Sequence, residues 1–388
     1  MQALREIGVE PAVVSTRLPH HSLISHPWAA EAQRDTEYLF PPKVRSVLGA
    51  FWTLLRAGPA GWWRASATLV ASEGSFLARI RLLLLMLVGA ELAWLARRKG
   101  WTHVHVHSCG NAANIAMFAR RLTGLPYSLT LHGRLRDYGP NQKQKWVHSA
   151  FALVVTRTLR EEVRKELAGF LPPEIELAPM GVDLKRFQKA SPYLPWPGSG
   201  PLRLFSCGRL NPYKGHDDLL RAVAQLRRQG MDARLTIAGE DDVGGACRQG
   251  LETLSRELGL GDNLKLLGAV SEDEVHSQLS AAHAFVLASL DEALGVATME
   301  AMALQVPVVV TGVGGVPELV DDEVNGILVP PRAPEKMAEA LLRLLGDPGL
   351  AAKLSQAGRT KIESSFHSGV SAATLRRCVE SPSSVRAS

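Results

Sequence analysis

At 388 residues the chain is longer than one ordinary hydrophobic core organises, so two domains are expected. Hydrophobic residues make up 46% and charged residues 21%, which excludes a disordered or fibrous chain. Lys and Arg number 44 against 38 Asp and Glu; the net +6 suits phosphorylated small molecules or acidic lipid and is modest for a nucleic-acid binder, so no nucleic acid is expected as partner.

Met1 to Gly8 reads as the end of a helix closed by glycine, and Pro11 to Ser15 as a short buried strand, whereas an α/β domain ordinarily begins with a strand. From Ser46 to Lys99 the apolar spacing is helical, with Trp52, Trp62, Trp63 and Trp94 set among arginines, so these helices carry one greasy and one basic face. Core packing is one explanation; peripheral association with an anionic membrane is the other. The strongest apolar run, Leu82 to Ala90, is too short to cross a bilayer, and no secretory signal is visible. A cytoplasmic address is therefore expected, at most peripheral on the inner face of the membrane.

From Trp101 the pattern becomes strand, helix, strand: Thr102 to His107, Ala112 to Leu122, Tyr127 to Leu131, then Ala152 to Val155. Such alternation predicts parallel strands with crossover helices. His103, His105 and His107 would point to one side of their strand. With no acidic or cysteine ligand evidently paired with them, packing or acceptor contact is favoured over a metal site. Cys109, Cys207, Cys247 and Cys378 are scattered and read as reduced, structural cysteines.

Ser191 to Pro201 is crowded with proline and glycine and reads as a linker. It divides a domain over 1–190 from one over 202–365, with 366–388 as a crossover helix and a disordered SPSSVRAS tail. The second domain repeats the α/β pattern, with strands near Leu202 to Ser206, Leu235 to Ala238, Leu264 to Leu267, Ala284 to Leu287, Val306 to Val310 and Gly326 to Val329. These runs are continuous Val, Leu and Ile, as in a sheet covered by helices on both faces. Doubly wound sheets bind ligands beyond the carboxyl ends of their strands, so a ligand is expected between two facing domains.

Four segments place polar residues or glycines after those strands. Arg209 and Lys214 leave one strand end together; such a pair could grip a diphosphate leaving group, or be two solvated surface cations. Glu292 and Glu300 bracket Gly295 in SLDEALGVATMEAM. With a helix starting near Gly295, eight residues span roughly 12 Å, so one ligand group cannot meet both acids. A long ligand could, with its sugar near Glu292, its ribose near Glu300 and its phosphates at the helix amides. The turn Thr311 to Glu318 holds three glycines and serves either close ligand approach or a tight strand-to-helix connection. Gly239 and Val270, each just past a strand, are placed to border a nucleotide base.

Together these segments resemble the retaining glycosyltransferases of family 4, which have the GT-B architecture of two facing Rossmann-like domains. The resemblance covers nearly the whole chain. It is densest from Met180-Gly181-Val182-Asp183 through Pro330, where GRL, KG, the Glu292/Glu300 pair with EAMA, and VPVV, GGVPELV and NGILVP follow in the family's order. By that likeness Arg209 and Lys214 hold the donor diphosphate, Glu300 the ribose hydroxyls and Glu292 the transferred sugar, while the backbone of Leu294, Gly295 and Val296 touches sugar hydroxyls and phosphate. Thr130-Leu131-His132-Gly133 and the strand ending at His107 look like the family's strand ends facing the cleft. His132 then joins Glu292 as a catalytic candidate, with His107 and Gly133 on the acceptor side. The implied activity is transfer from a nucleotide-diphosphate sugar to a glycan or lipid-linked acceptor with retention, without cofactor or metal, resembling bacterial exopolysaccharide or colanic-acid-type enzymes.

Two departures stand out. Ala293 and Leu294 occupy positions where the family usually has glycine and phenylalanine, which implies a sugar pocket of different shape. The family also opens with a strand and a glycine-rich loop, whereas Met1 falls within the helix that follows, so the first strand of the N-terminal domain is expected to be missing. Two alternatives remain open: another GT-B activity, such as a nucleotide-sugar epimerase or phosphorylase, or a catalytically impaired nucleotide-sugar-binding protein. A nicotinamide dehydrogenase is disfavoured, because no G-x-G-x-x-G follows an early strand.

Overall fold

The computed structural model describes residues 1–18, 27–188, 192–242 and 244–381, which form two compact units: residues 1–179 with the chain from 371 on, and residues 180–370. In the first unit β1 (Val14–Ser15) pairs in parallel with β2 (Glu37–Tyr38) as a two-stranded ribbon. The buried strand expected over Pro11 to Ser15 is thus only two half-buried residues long, because so short a ribbon has no interior position. Helices Val44–Arg56, Gly58–Ala71 and Phe76–Lys99 follow. The third starts where Ser75 Oγ accepts from Ala78 N and stops at Gly100, whose φ of 73° ends it, with Arg97, Arg98 and Lys99 opposing the negative end of its dipole.

A four-stranded parallel sheet then forms in the order β3 (Val104–Val106), β4 (Tyr127–Leu131), β5 (Ala152–Val154), β6 (Ile175–Leu177). All of β4 and β5 is buried, as expected of strands covered on both faces. Helix Asn111–Thr123 crosses over between β3 and β4 and buries Ile115 to Ala119 without a break, because it packs on the sheet and on Phe76–Lys99 at once. The two helices meet closely at Gly89, where a Cβ would lie 2.8 Å from the Ile115 carbonyl oxygen. Helix Ser368–Glu380 completes this unit: Cys378 packs with Ala150, Phe151, Leu153 and Ala178, and Arg377 bridges to Glu176 at 2.8 Å.

The second unit is a six-stranded parallel sheet built from β7 (Leu202–Cys207), β8 (Ala233–Ala238), β9 (Leu264–Gly268), β10 (Ala284–Leu287), β11 (Val308–Thr311) and β12 (Ile327–Val329). Its order is β12-β11-β10-β7-β8-β9, so strand order reverses between β7 and β10 and leaves a crevice at their carboxyl ends. Apolar clusters cover the two faces, one around Leu204, Leu220 and Leu341, the other around Phe205, Phe285 and Met302.

The proline- and glycine-rich stretch expected as a linker lies inside this second unit. Tyr193 is buried in its core and donates through Oη to the His283 carbonyl at 2.7 Å. The division between units falls instead at Pro179 and Met180, where Val182 and Ser368 exchange backbone hydrogen bonds with Phe366 and Val182 at 2.9 Å. Ser191 and the tail from 382 on lie outside the described residues. All four cysteines are free, and no helix among the described residues is long and apolar enough to cross a membrane.

The Gly89 contact sets a test of the first unit. Gly89→Val forces two helices apart and should lower stability by about 1–3 kcal/mol. Urea unfolding followed by circular dichroism reads this as an earlier midpoint; an unmoved midpoint contradicts the crossing.

Candidate functional site

Three loops meet at the reversal between β7 and β10. The chain leaving β7 makes one 3-10 turn at Pro212–Lys214, started by Asn211 Oδ1 accepting from Tyr213 N at 3.1 Å. Lys214 Nζ forms an ion pair with Glu292 Oε1 in the loop after β10. Ser289 Oγ donates to the same oxygen at 3.1 Å, and Thr311 Oγ1 at the end of β11 donates to the Ser289 carbonyl at 2.6 Å. The two ion-pair side chains are only 19% and 13% exposed, so each would pay a desolvation cost without the other.

Glycines bring these loops into contact. At Gly215 (φ +59°) a Cβ would lie 2.0 Å from the Ala288 carbonyl oxygen, and at Gly314 (φ +54°) 1.9 Å from that of Glu292. Gly315 N donates to this same Glu292 carbonyl at 3.0 Å. The Thr311 to Glu318 turn therefore makes a tight structural connection here. Gly239 has a similar cause: a Cβ would sit 1.9 Å from the Gly208 carbonyl oxygen.

Arg209 and Lys214 share a loop but not a partner. Arg209, 69% exposed, pairs with Asp242 at 3.0 Å, and Asn211 Nδ2 donates to the same Asp242 oxygen at 3.0 Å. Asp242 is absent from the sequence-based candidates; its signal was the acidic pair Asp241-Asp242 directly after Gly239-Glu240 at the end of β8. Val270 is half-buried against the second apolar cluster, just ahead of Ser271, which caps helix Glu272–Ala281.

Helix Val296–Ala303 starts at Gly295 (φ +97°) with no side-chain cap, and the buried Thr298 Oγ1 in its first turn has no partner among the described residues. Leu294 belongs to the core and Val296 is 43% exposed, so what Leu294 and Gly295 present to a ligand is backbone. Glu300 lies on this helix, half-buried; burial, with Glu272 adding to it, pushes its carboxyl up to about 7. The Cys207 thiol is pushed up to about 12, first by burial and then by Glu300, against the pull of Lys214, so Cys207 lies near both candidates.

In the first unit the histidines form a ladder. His103 Nε2 and His105 Nδ1 both meet Ser128 Oγ at 2.7 Å, and His105 Nε2 meets Thr130 Oγ1 at 2.7 Å. His107 stands edge-on to His105 and stacks on His132, with 3.4 Å between His107 Nδ1 and His132 Nε2. Burial holds His103 and His132 down to about 4, with Arg120 and His107 respectively reinforcing it; it also lowers His107, and His105 most of all. A neutral His132 is a weak base, so it suits hydrogen bonding to a hydroxyl better than proton removal. Gly133 follows it, 3.5 Å from Tyr138 Oη measured from a built Cβ. Among the described residues no group of three or more His, Cys, Asp or Glu is placed to hold a metal ion.

Residues 197–361, most of the second unit, match the family described as glycosyl transferases group 1. Over 285 residues the chain is 32% identical to the D-inositol 3-phosphate glycosyltransferase of Saccharomonospora viridis, covering 70% of this chain and 63% of that protein. It therefore spans less than two thirds of that relative's length. The alpha-D-kanosaminyltransferase of Streptomyces kanamyceticus is 29% identical, with 70% of this chain and 77% of that protein covered. Among solved structures, sucrose-phosphate synthase from Thermosynechococcus elongatus superposes with a TM-score of 0.66 at 22% identity, over 76% of this chain and 77% of that one. The fold is thus α/β with parallel sheets, matching structures of the GT-B glycosyltransferases.

Two titrations follow. Because the Glu300 carboxyl rises from 4.5 to about 7 on folding, its contribution is complete below pH 4.5 and is lost as pH climbs through 7. Glu300→Gln should then stabilise the protein by about 2–3 kcal/mol at pH 8.5 and not at pH 4; denaturation at both pH values measures this, and equal effects would refute the assignment. The histidine ladder has the opposite sign: its stabilisation is present above pH 6.5 and drains away as pH falls toward 4. Imidazole resonances of His103 and His132 in NMR spectra should titrate near pH 4; titration near 6.5 would show that they are solvated.

Proposed function

We propose that this chain is a retaining glycosyltransferase, moving a sugar from a nucleotide-diphosphate donor to a glycan or lipid-linked acceptor in cell-surface polysaccharide assembly, without cofactor or bound metal. The Lys214–Glu292 pair at the reversal between β7 and β10 carries this reading. A diphosphate brings more negative charge to Lys214 than one carboxylate does, so it displaces Glu292 and frees that acid to accept hydrogen bonds from the sugar. As the bond from the anomeric carbon to the phosphate oxygen breaks, charge gathers on the diphosphate, where Lys214, Arg209 and the uncapped amides at Gly295 stabilise it. Glu300, titrating near neutrality, is able both to donate to and to accept from ribose hydroxyls. His132, neutral, orients a hydroxyl. The match of 197–361 to group 1 glycosyl transferases supports the reaction class.

A second acceptor, a small hydroxylated ring, is favoured by the relatives, whose names include D-inositol 3-phosphate and 2-deoxystreptamine. A donor-by-acceptor screen with mass spectrometry separates the two, and NMR of the product reads its anomeric configuration. Nucleoside diphosphate should appear only as acceptor is consumed, whereas conversion of donor into an isomer would mean epimerisation. Lys214→Ala should lower turnover by on the order of 100-fold or more. Undiminished transfer by that variant would remove the diphosphate assignment.

A further inference from the structure

Three helices of the first unit turn their large apolar residues outward. In Val44–Arg56 the residues Val44, Val47, Leu48, Phe51, Trp52 and Leu55 are 52–79% exposed. Their spacing is that of a single helical stripe. The opposite face, with Gly49 and Thr53, is the buried one, and Gly49 lies against the Trp94 ring. Phe76–Lys99 repeats the arrangement: Phe76, Leu77, Ile80, Leu84 and Leu87 are 43–77% exposed, while Leu82, Met86, Gly89 and Ala93 face inward. Gly58–Ala71 adds exposed Trp63 and Val70 and buries Gly61, Ala65 and Thr68. Isolated exposed apolar residues are ordinary; stripes of this extent on neighbouring helices are not.

Charge identifies what covers them. Residues 43–99 hold nine of the chain's 44 basic residues and two of its 38 acidic ones, a net +7 against +6 for the whole chain. Of the two acids, Glu91 is buried, with its carboxyl pushed up by that burial, and Glu73 is paired with Lys143 at 2.8 Å. Arg56 folds back over the Trp52 ring at 4.8 Å. A second copy of the chain docked here would set positive charge against positive charge, whereas phosphate headgroups would neutralise it.

We infer that this face docks on a bilayer rich in anionic lipid. The helices lie in the interface with the apolar stripes in the acyl boundary, the tryptophans at headgroup depth and the arginines on the phosphates. This surface stands apart from the donor reading, because its test needs no donor or turnover.

The intact chain is sedimented with vesicles of phosphatidylglycerol and phosphatidylcholine, or phosphatidylcholine alone, while light scattering reads its oligomeric state. The expected result is pelleting with the anionic vesicles, weakened by salt, accompanied by a blue shift of tryptophan fluorescence. Phe51→Glu with Leu84→Glu, both at exposed sites, should abolish pelleting while circular dichroism stays unchanged. Arg45→Glu with Arg81→Glu should weaken binding by roughly tenfold or more. Three outcomes overturn the inference: no pelleting with anionic vesicles, equal pelleting with neutral ones, or a dimer that the Phe51 and Leu84 substitutions disperse.

Discussion

The Lys214–Glu292 ion pair is the constraint on which the second unit's chemistry turns. Its partners are 78 residues apart in sequence and belong to the ends of β7 and β10, neighbours only because the chain runs out through β8 and β9 before returning. Two charges this far from water are tolerable only together, so the loops that carry them cannot drift apart without a cost of several kcal/mol. On the proposed reading the pair also shapes how a ligand enters: an anion reaching Lys214 competes with Glu292 for it, and an exchange of partners would supply a cation for the leaving group and an acid for the sugar together.

The scaffold makes that exchange local. Backbone contacts at Gly215, Gly314 and Gly239 hold the ends of β7, β8, β10 and β11 at separations no side chain would permit. From sequence, such glycines were read as room for a ligand or as tight turns. The distances favour packing of loop on loop, which fixes the site's walls. The freedom lies elsewhere, in the exposed Arg209, which shares Asp242 with Asn211, and in the uncapped helix start at Gly295.

How much of this was readable depended on local burial. Tyr127 to Leu131 and Ala284 to Leu287 were placed residue for residue: Ala284 to Leu287 is the unbroken apolar run of a strand covered on both faces, and Tyr127 to Leu131 alternates apolar residues with Ser128 and Thr130 at the period of a strand. Ile175–Leu177 was missed: three half-buried residues with a central glutamate, at the sheet's edge, alternate over too short a span to stand out as a strand. Glu292 and Glu300 were legible because a strand, a loop and a helix could be seen around them. Asp242 was not, since its role arises only when the end of β8 is laid beside that of β7. The segment 191–201 misled for a related reason. Proline and glycine report a chain free of regular structure, but Tyr193 reports burial, and its hydrogen bond to His283 outweighs the composition around it.

The helices between Val44 and Lys99 show a different limit. Periodicity establishes that a helix has an apolar side; it does not establish that the apolar side faces the core. Here the direction was encoded by the small residues. Gly49, Gly61 and Ala65 in the first two helices, and Gly89, Ala90 and Ala93 in the third, all face inward. Close helix packing demands such residues where backbones meet, and a face made of them cannot also hold the bulky side chains. Once Gly49 is recognised as the contact with Trp94, the outward direction of Phe51 and Leu55 follows from geometry, because residues two and six positions on lie about 160° and about 120° around the helix from the glycine. Reading the small stripe before the large one would have fixed the orientation from sequence.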